Sequence, residues 1–393
     1  MDRHFGRASR RSHLLILAGL AFGLGLGSPH GSALALDATQ PRYRIVGYVL
    51  GSRDQDFRGV DSTKLTHINY AFANLKGGRA VLEWPEADGA RIAQLQSLRS
   101  RNPELKILLS VGGGAWSDGF SDAALTGASR SAFTLSAIEL LKRYAFDGLD
   151  IDWEYPAQPG PSRVFRPEDT ANFTLLLQVL RAALDEQSRI DGRVGGRRYQ
   201  LSIATNVSPG YGAHVELGVL HRYVDHICLM GYDNFGPWTE RSGHHANLFP
   251  PDAEPSALSA AGGVDGHLAA GVPPEKIVLG VAFYGYLFPG ADPANRGLYR
   301  KYSGQASAVS YAELVDKYVN KNGFTRYWDD VAKAPYLWNP ETRTVITYDD
   351  PQSHAAKVQY VKRKGLGGVM YWEHFHDPGE TLLDGLHRGL SGP

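Results

Sequence analysis

Eight short β-rich runs recur along the sequence, separated by stretches with helical periodicity. Most of these runs are apolar throughout rather than alternating, which is typical of strands covered by helices on both faces. Strand alternating with helix predicts parallel strands joined by crossover helices. The predicted strands span residues 44–49, 65–72, 106–111, 148–154, 200–206, 226–232, 276–284 and 367–372, and the predicted helices include 129–144, 172–185, 256–270 and 354–364.

Eight such units predict an α/β fold, a closed (β/α)8 TIM barrel whose functional sites lie at the C-terminal ends of the strands. An open doubly wound sheet is the main alternative, but no glycine-rich phosphate-binding loop follows the first strand. The stretch between strands seven and eight is too long for one loop, and it contains a predicted helix at 311–318 and hairpin character around Asn339-Pro340-Glu341. We therefore predict a barrel formed by residues 43–286 and 346–393, with a small α+β insertion at 287–345.

The N-terminus has the order of a secretory signal: a basic segment, an apolar run at 14–26, and small residues ending in Ala33-Leu34-Ala35. The apolar run is too short to span a bilayer comfortably, although an uncleaved N-terminal anchor is the alternative. We predict a signal peptide at 1–35, cleaved near Ala35, then a polar leader at 36–42, and hence a secreted or periplasmic protein. The Arg10-Arg11 pair loosely matches a twin-arginine signal, so both export routes stay open.

The chain carries 41 basic and 41 acidic residues, so its formal net charge is zero. This balance gives no electrostatic reason to expect nucleic acid or an anionic membrane as a partner, and it suits a neutral ligand. The single cysteine, Cys228, excludes an internal disulfide and lies in an apolar run, so we expect it to be buried and inert. We expect a monomer, with no membrane partner once the signal is removed.

One predicted strand, at 148–154, carries three acidic side chains at alternate positions, Asp150, Asp152 and Glu154. Side chains alternate between the two faces of a strand, so these three share one face, with neighbours about 6 to 7 Å apart. The intervening residues are apolar and can pack on helices, which turns the acidic face towards the inside of a barrel. Asp147 precedes the strand with the opposite parity, so we expect it to have a structural role.

Three carboxyl groups in a row inside a barrel repel one another, so they share protons and the pKa of at least one of them rises. A carboxylic acid that stays protonated near neutral pH is what a general acid requires. Glu154 lies at the C-terminal end of the strand, where barrel active sites open, and we predict that it is a proton donor. The alternatives are a metal site, which lacks a histidine or fourth ligand at suitable spacing, and a solvated polar strand, which the apolar neighbours disfavour.

The segment from Asp147 to Glu154 resembles the D-x-x-D-x-D-x-E signature of glycoside hydrolase family 18, the chitinase family. Other segments agree with the family in the expected order: Ser110-Val111-Gly112-Gly113 with S-x-G-G, Met230-Gly231-Tyr232-Asp233 with M-x-Y-D, and Gly368-Val369-Met370-Tyr371-Trp372 with the eighth strand. The predicted insertion resembles the chitinase insertion domain. The likeness covers nearly the whole chain after the predicted signal, and the carboxylate motif is its most specific part.

This resemblance implies a retaining reaction in which the N-acetyl group of the substrate, rather than an enzyme group, attacks the anomeric carbon. Glu154 then protonates the leaving oxygen and later activates water. Asp152 orients the acetamido group, Asp150 pairs with Asp152, and Tyr232 donates a hydrogen bond to the acetamido carbonyl oxygen. The implied substrate is chitin or chito-oligosaccharide, with no cofactor and no metal ion.

Seven further side chains are expected to contact the substrate: Asp233, Trp372, Met230, Tyr284, Trp116, Trp338 and Tyr70. Structural roles are expected for Asp147, Ser110, Gly112 and Gly113. A core position is the alternative for Tyr232 and Trp372, and a packing role for Tyr70. The chain departs from the family at the seventh strand, where many relatives have G-x-P-x-Y-G-R and this chain ends the segment with Tyr286.

Two other functions are compatible with the same fold. A chitin-binding lectin is one, although such relatives have typically lost the residue equivalent to Glu154. An endo-β-N-acetylglucosaminidase acting on N-glycans or peptidoglycan is the other, and the predicted insertion disfavours it. The pairs His244-His245 and His374/His376 lack an acidic or cysteine partner at suitable spacing, so we interpret them as polar loop residues rather than metal ligands.

Overall fold

Eight parallel strands close into a barrel in the computed structural model, which describes residues 43–51 and 55–392. Each barrel strand pairs with its neighbours in parallel, and the first strand pairs with both the second and the last, which closes the cylinder. The predicted (β/α)8 TIM barrel is therefore confirmed. The predicted signal peptide, its cleavage site near Ala35 and the leader lie outside the described residues.

The described strands, in chain order, are β1 (Arg44–Leu50), β2 (His67–Lys76), β3 (Arg79–Val81), β4 (Lys106–Gly112), β5 (Gly148–Asp152), β6 (Gln200–Asn206), β7 (His226–Met230), β8 (Ile277–Ala282), β9 (Tyr284–Phe288), β10 (Ser307–Ser310), β11 (Thr325–Asp329), β12 (Ala334–Asn339), β13 (Thr344–Tyr348) and β14 (Gly368–Trp372). The barrel order is β1-β2-β4-β5-β6-β7-β8-β14, with β3 added as a hairpin on β2. Apolar residues on the outer faces of these strands, such as Leu149 and Ile151, are fully buried beneath the helices. This two-sided burial is why the strands read as continuous apolar runs.

The helices are α1 (Pro85–Ser97), α2 (Phe120–Leu125), α3 (Gly127–Arg143), α4 (Asp169–Ile190), α5 (Pro209–His214), α6 (Leu217–Leu220), α7 (Ala260–Ala269), α8 (Tyr311–Glu313), α9 (Pro351–Lys364) and α10 (Thr381–Ser391). Local sequence sets the bounds of α9 clearly. Asp350 accepts hydrogen bonds from the first-turn N–H groups of Gln352 and Ser353, and Pro351 occupies the first helical position. Gly365 ends the helix with φ 65°, a conformation that glycine adopts without a Cβ clash.

A second, antiparallel sheet follows β8 in the chain, with the strand order β10-β9-β13-β12-β11. The strand predicted at 276–284 is in fact two, because β8 ends at Ala282 and β9 begins at Tyr284 in the other sheet. The hairpin predicted around Asn339-Pro340-Glu341 joins β12 to β13. The division of the chain at residues 287 and 345 stays a prediction, and the sheet itself runs from Tyr284 to Tyr348.

Within residues 43–51 and 55–392, no helix has the length and apolar character that crossing a bilayer would demand. Cys228 is a buried free thiol on β7. Stability of this part of the chain therefore comes from its packed core.

Candidate active site

The C-terminal ends of the barrel strands surround a cavity of about 520 Å³. Eight of the eleven residues predicted to act on or bind substrate line it: Asp152, Glu154, Tyr232, Asp233, Trp372, Met230, Tyr284 and Trp116. The remaining three are Asp150, Tyr70 and Trp338, whose surroundings are described below. The structure thus gathers residues from distant parts of the chain at the end of the barrel where such sites form.

Asp150 lies inside the barrel, wholly buried, and is held by hydroxyl groups from three other strands. Its carboxylate accepts hydrogen bonds from Tyr48 at 2.7 Å, from Ser110 at 2.7 Å and from Ser202 at 2.6 Å. Burial raises the pKa of Asp150, while these donors oppose the rise. A structural role was expected for Ser110, and its hydroxyl group holds the carboxylate of Asp150, the first acid of the row.

Asp152 is the next acid along β5, and it differs from Asp150 in its hydrogen bonding. Its Oδ1 atom is buried and has no hydrogen-bond partner within the described part of the chain. Burial raises the pKa of Asp152 well above its ordinary value, and the charges of Glu154 and Asp150 add to the effect. Because Asp152 lines the cavity, this oxygen is available to a group that enters it.

Glu154 follows the end of β5 and is held at the cavity by its own backbone. Its N–H donates to Ser117 Oγ at 3.0 Å, and Ser117 Oγ also lies 2.9 Å from the carbonyl oxygen of Gly113. Burial, followed by the charge of Asp233, raises the pKa of Glu154 to about 7. The side chain is therefore largely protonated in mildly acidic solution, as a proton donor must be.

Gly112 and Gly113 bring the end of β4 close to the acids. Both have positive φ, 103° and 72°. A Cβ on Gly112 would lie 2.4 Å from the carbonyl oxygen of Asp152, and one on Gly113 would lie 2.6 Å from the Phe72 ring. Only glycine allows this approach without displacing the strand or the ring.

Asp147 lies at the other end of β5, away from the cavity lining. Its carboxylate pairs with Arg193 at 2.5 Å and with Arg99, and it accepts the N–H of Ile107 at 3.0 Å. Asp147 therefore joins neighbouring segments through ion pairs and a backbone hydrogen bond, and its predicted role is structural.

Three tyrosines and one carboxylate form one wall of the cavity, with Tyr232 and Asp233 after β7 and Tyr284 and Tyr286 on β9. Asp233 Oδ1 accepts hydrogen bonds from the hydroxyls of Tyr284 and of Tyr286, the latter at 3.1 Å. Tyr232 packs edge-on against Tyr284 with ring centroids 6.0 Å apart. Among the described residues, the Tyr232 hydroxyl hydrogen-bonds only to Met370 Sδ, at 3.5 Å, which is a weak acceptor. It therefore keeps its donor capacity for a ligand in the cavity.

Aromatic rings form the floor and one edge of the cavity. Trp372 stacks on Phe72 at 5.6 Å with an interplanar angle of 19°, and it leans on Tyr48 at the same distance. Trp116 lies 6.0 Å from Trp84, whose side chain is 47% exposed. Flat, weakly polar faces of this kind suit the apolar faces of sugar rings.

Two predicted groove residues do not line the cavity. Tyr70 is fully buried, and its hydroxyl donates to Asp88 Oδ1 at 2.6 Å. Trp338 is 6% exposed and packs inside the second sheet, where its ring occupies the space that a Cβ on Gly297 would need. Tyr70 faces the helices on the side of β2 away from the cavity, whereas Trp338 lies on the same face of the second sheet as Tyr286 but farther along it, beside Phe288. Neither side chain reaches the cavity lining.

Several cavity residues were not expected from the sequence. They include Tyr286, His376, Asn206, Tyr155, Asp88 and Trp84. The two-residue spacing from Tyr284 was a usable signal for Tyr286, since both lie on one face of β9. Asp88 lies in the first turn of α1, and the others lie in loops, in a short helical turn or at a strand end, where no periodicity marks them.

The acids and histidines of the site do not assemble into a metal site. Among residues 43–51 and 55–392, no group of three or more His, Cys, Asp or Glu side chains is arranged to hold an ion. His245, interpreted from the sequence as a polar loop residue, is instead fully buried beside Asp233. The chemistry that the described cavity supports is proton transfer, with adjacent hydrogen-bonding and aromatic surfaces.

Comparisons with known proteins agree with this geometry. The family described as Glycosyl hydrolases family 18 matches residues 44–377. Chitinase A1 of Niallia circulans is 38% identical over 88% of this chain, which spans 58% of that protein's length. Endochitinase 1 of Metarhizium robertsii is 33% identical over 97% of this chain and 93% of its own.

A solved structure extends the likeness to the fold. The glycoside hydrolase family 18 N-acetylglucosaminidase of Paenibacillus barengoltzii matches with a TM-score of 0.81 and 40% identity. The match covers 88% of this chain and 99% of that structure. Sequence and backbone thus agree over the same part of the molecule.

Proposed function

Because this chain belongs to glycosyl hydrolases family 18 and is a glycoside hydrolase of the chitinase type, we propose that it hydrolyses the β-1,4 bonds of chitin and chito-oligosaccharides with retention, using Glu154 as general acid and base. One observation carries the proposal. Glu154 lies in the cavity with its pKa raised to about 7, directly after a buried row of acids. A carboxyl group in this state donates a proton to a leaving oxygen and accepts one afterwards.

In the first step, the acetamido oxygen of the substrate attacks the anomeric carbon as the bond from that carbon to the glycosidic oxygen breaks. Glu154 gives its proton to the departing oxygen and becomes a carboxylate. In the second step, water attacks the anomeric carbon, its proton passes to Glu154, and the carbon–oxygen bond of the oxazolinium ion opens. Two displacements at the same carbon restore its configuration, and a tethered nucleophile gains effective molarity.

Asp152 is proposed to orient the acetamido N–H and to stabilise the positive oxazolinium ion. The unpartnered Oδ1 atom supports this role, because it is a buried acceptor beside the space where the acetamido group would lie. Asp150, fixed by Tyr48, Ser110 and Ser202, supplies a second negative group behind Asp152. We propose that the pair shares a proton until the intermediate forms.

The wall and floor of the cavity are proposed to hold the reacting sugar. The free donor capacity of the Tyr232 hydroxyl suits the acetamido carbonyl oxygen. Asp233, whose side chain is 42% exposed, is placed for a sugar hydroxyl, and the Trp372 ring for the apolar face of the same sugar. Met230 and Trp116 extend the surface on either side.

Export and domain organisation are part of the same proposal. Chitin is an insoluble external polymer, which fits the predicted signal at 1–35 and a secreted or periplasmic monomer. We propose that residues 287–345 act as an insertion that deepens the groove, since Tyr286 at its margin lines the cavity.

The decisive experiment is hydrolysis of chito-oligosaccharides by the wild type and by Glu154→Gln. We expect the substitution to lower kcat by about 100- to 10,000-fold, the usual contribution of general acid–base catalysis. Glu186→Gln is the matched control, since Glu186 is an exposed glutamate that pairs with Arg189 on α4. Equal activity of the wild type and Glu154→Gln would exclude the assignment, and tight binding without turnover at any pH would instead indicate a lectin.

A further inference from the structure

Asp233 faces the cavity, and no lysine or arginine of residues 43–51 and 55–392 pairs with it. It has φ 65°, a left-handed conformation that aspartate tolerates better than most residues. Its Oδ1 atom is held only by the hydroxyls of Tyr284 and Tyr286 among the hydrogen bonds of the described chain. No lysine or arginine is found among the described cavity-lining residues. Its orientation therefore depends on how firmly the two tyrosine rings are held.

His245 lies directly behind these two rings. It has no exposed surface, and its ring centroid is 5.1 Å from that of Tyr284 and 5.2 Å from that of Tyr286. Its Nδ1 atom is 3.9 Å from Asp233 Oδ1. Neither ring nitrogen makes a hydrogen bond to any residue that the structure describes. A buried polar ring in this state calls for an explanation beyond packing.

The backbone links the same two residues. The carbonyl oxygen of His245 accepts the N–H of Asn234 at 3.0 Å, and Asn234 is the residue that follows Asp233. The Asn234 side chain in turn donates to Asn247 at 3.0 Å. The loop that carries His245 is thereby tied to the turn that carries Asp233.

We propose that His245 is a positioning residue for Asp233, which it holds on the cavity wall by fixing the rings of Tyr284 and Tyr286 and by presenting Nδ1 to the same carboxylate. Tyr286 occupies the position where many family members have arginine. Here two hydroxyl groups and an imidazole, in place of one guanidinium group, hold the Asp233 carboxylate. In this arrangement His245 does not touch the sugar. The proposal rests on the proposed function, because Asp233 matters to turnover only if the sugar reacts beside it.

The test is a double-mutant cycle between His245→Phe and Asp233→Asn, assayed on chito-oligosaccharides. Phenylalanine keeps the ring packing but removes both nitrogens. We expect His245→Phe to lower kcat about tenfold with KM changed less than about threefold, because loosened contacts to the reacting sugar are felt mainly in the transition state. In the Asp233→Asn background, the same change should cost less than about twofold, since its route of action is already removed.

Two further variants complete the design. His245→Gln retains a nitrogen that can reach Asp233, and we expect it to recover part of the lost kcat; it also replaces His245→Phe in the cycle if that variant does not fold. His226→Phe is the matched control, because His226 is equally buried, has ring nitrogens without described partners and is not part of the cavity lining. It should alter thermal stability alone.

Additive effects of His245→Phe and Asp233→Asn would overturn the proposal, as would wild-type kcat in His245→Phe. A loss of kcat in His226→Phe as large as that in His245→Phe would also overturn it, since the effect would then reflect packing. Failure of the proposed function is separate, because it is registered by undiminished activity of Glu154→Gln.

Discussion

At the scale of single residues, the three acids that begin on β5 differ in how many hydrogen-bond donors hold each carboxyl group. Asp150 has three hydroxyl donors, Asp152 has an oxygen without a partner, and Glu154 faces the cavity. Burial raises the pKa of all three carboxyl groups, and the proposed mechanism assigns the proton transfer to Glu154, the last of them. The pKa of Glu154, at the open end, is raised by burial and by the charge of Asp233, whereas the repulsion among the three acids raises the pKa of Asp152.

The pKa of Glu154 predicts the alkaline limb of the pH profile. The proposed mechanism requires the protonated form of Glu154, so kcat/KM should be level below pH 7 and fall about tenfold per pH unit above it. Because the charge of Asp233 contributes to the raised pKa, Asp233→Asn should lower the pKa and move this limb to lower pH. The measurement is kcat/KM against pH for both proteins. An unmoved limb in Asp233→Asn would show that burial alone sets the pKa.

At the scale of elements, the sequence was informative where the two faces of a strand differ in chemistry. On β5, acids alternate with apolar residues, so side-chain parity could be read directly, and the row lies inside the barrel as predicted. On β2, polar, small and aromatic residues are mixed, so side-chain parity was ambiguous, and the burial of Tyr70 favours the packing role that the sequence also allowed. On β12, the register places Trp338 on the same face of the second sheet as Tyr286, but side-chain parity could not show how far along the sheet from the cavity it lies.

The first turn of α1 explains what Tyr70 does instead. Trp84 precedes the helix and offers no side-chain cap, so the Trp84 N–H is satisfied by Asp88 Oδ2 at 3.0 Å from within the helix. Asp88 is in turn held by the Tyr70 hydroxyl. This chain of contacts sets where the half-exposed Trp84 ring lies beside Trp116.

We therefore predict that Tyr70→Phe weakens activity in a way that depends on substrate length. Without the Tyr70 hydroxyl donor, Asp88 holds Trp84 less firmly. Stacking of a sugar ring on Trp84 and Trp116 at that edge of the cavity is then weaker. We expect kcat/KM for hexasaccharide to fall about three- to tenfold, as for the loss of about 1 kcal/mol of aromatic contact, and for trisaccharide to stay within about twofold. Tyr360→Phe, at a buried tyrosine of α9 outside the cavity lining, is the control. An equal fall on both substrates would contradict this account.

At the scale of the whole molecule, a buried ion pair joins the two sheets to a barrel helix. Asp349 follows β13, pairs with Lys357 of α9 and accepts the N–H of Ala282 at the end of β8 at 3.2 Å. Neither charged side chain has any exposed surface. Burial by itself would raise the pKa of Asp349, but Lys357 and then His354 bring the pKa far below its ordinary value. The carboxylate thus stays charged through the whole acid range in which a folded protein would be studied.

The sequence did not reveal this junction, because no periodic pattern marks a lysine that is buried against an acid eight residues earlier. The contribution of this ion pair to the free energy of unfolding depends on its burial. Removing one partner of a fully buried pair leaves an uncompensated charge, which typically costs about 3–5 kcal/mol, whereas removing both is far less costly. We therefore predict that Lys357→Met lowers the free energy of unfolding by about that amount at pH 7, and that adding Asp349→Asn recovers part of the loss.

Lys364→Met is the matched control for this last prediction, since Lys364 lies on the same helix and pairs with Asp265 at the surface, where ion pairs contribute about 0–1 kcal/mol. Urea unfolding followed by tryptophan fluorescence measures all three variants. Because the pKa of Asp349 is depressed, the contribution of the pair is present at neutral pH and is lost only as the pH falls towards that low value, so the gap between Lys357→Met and the wild type should persist from pH 7 to pH 5. Equal stability of Lys357→Met and Lys364→Met would mean that solvent reaches the pair and that the junction contributes little to holding the second sheet on the barrel.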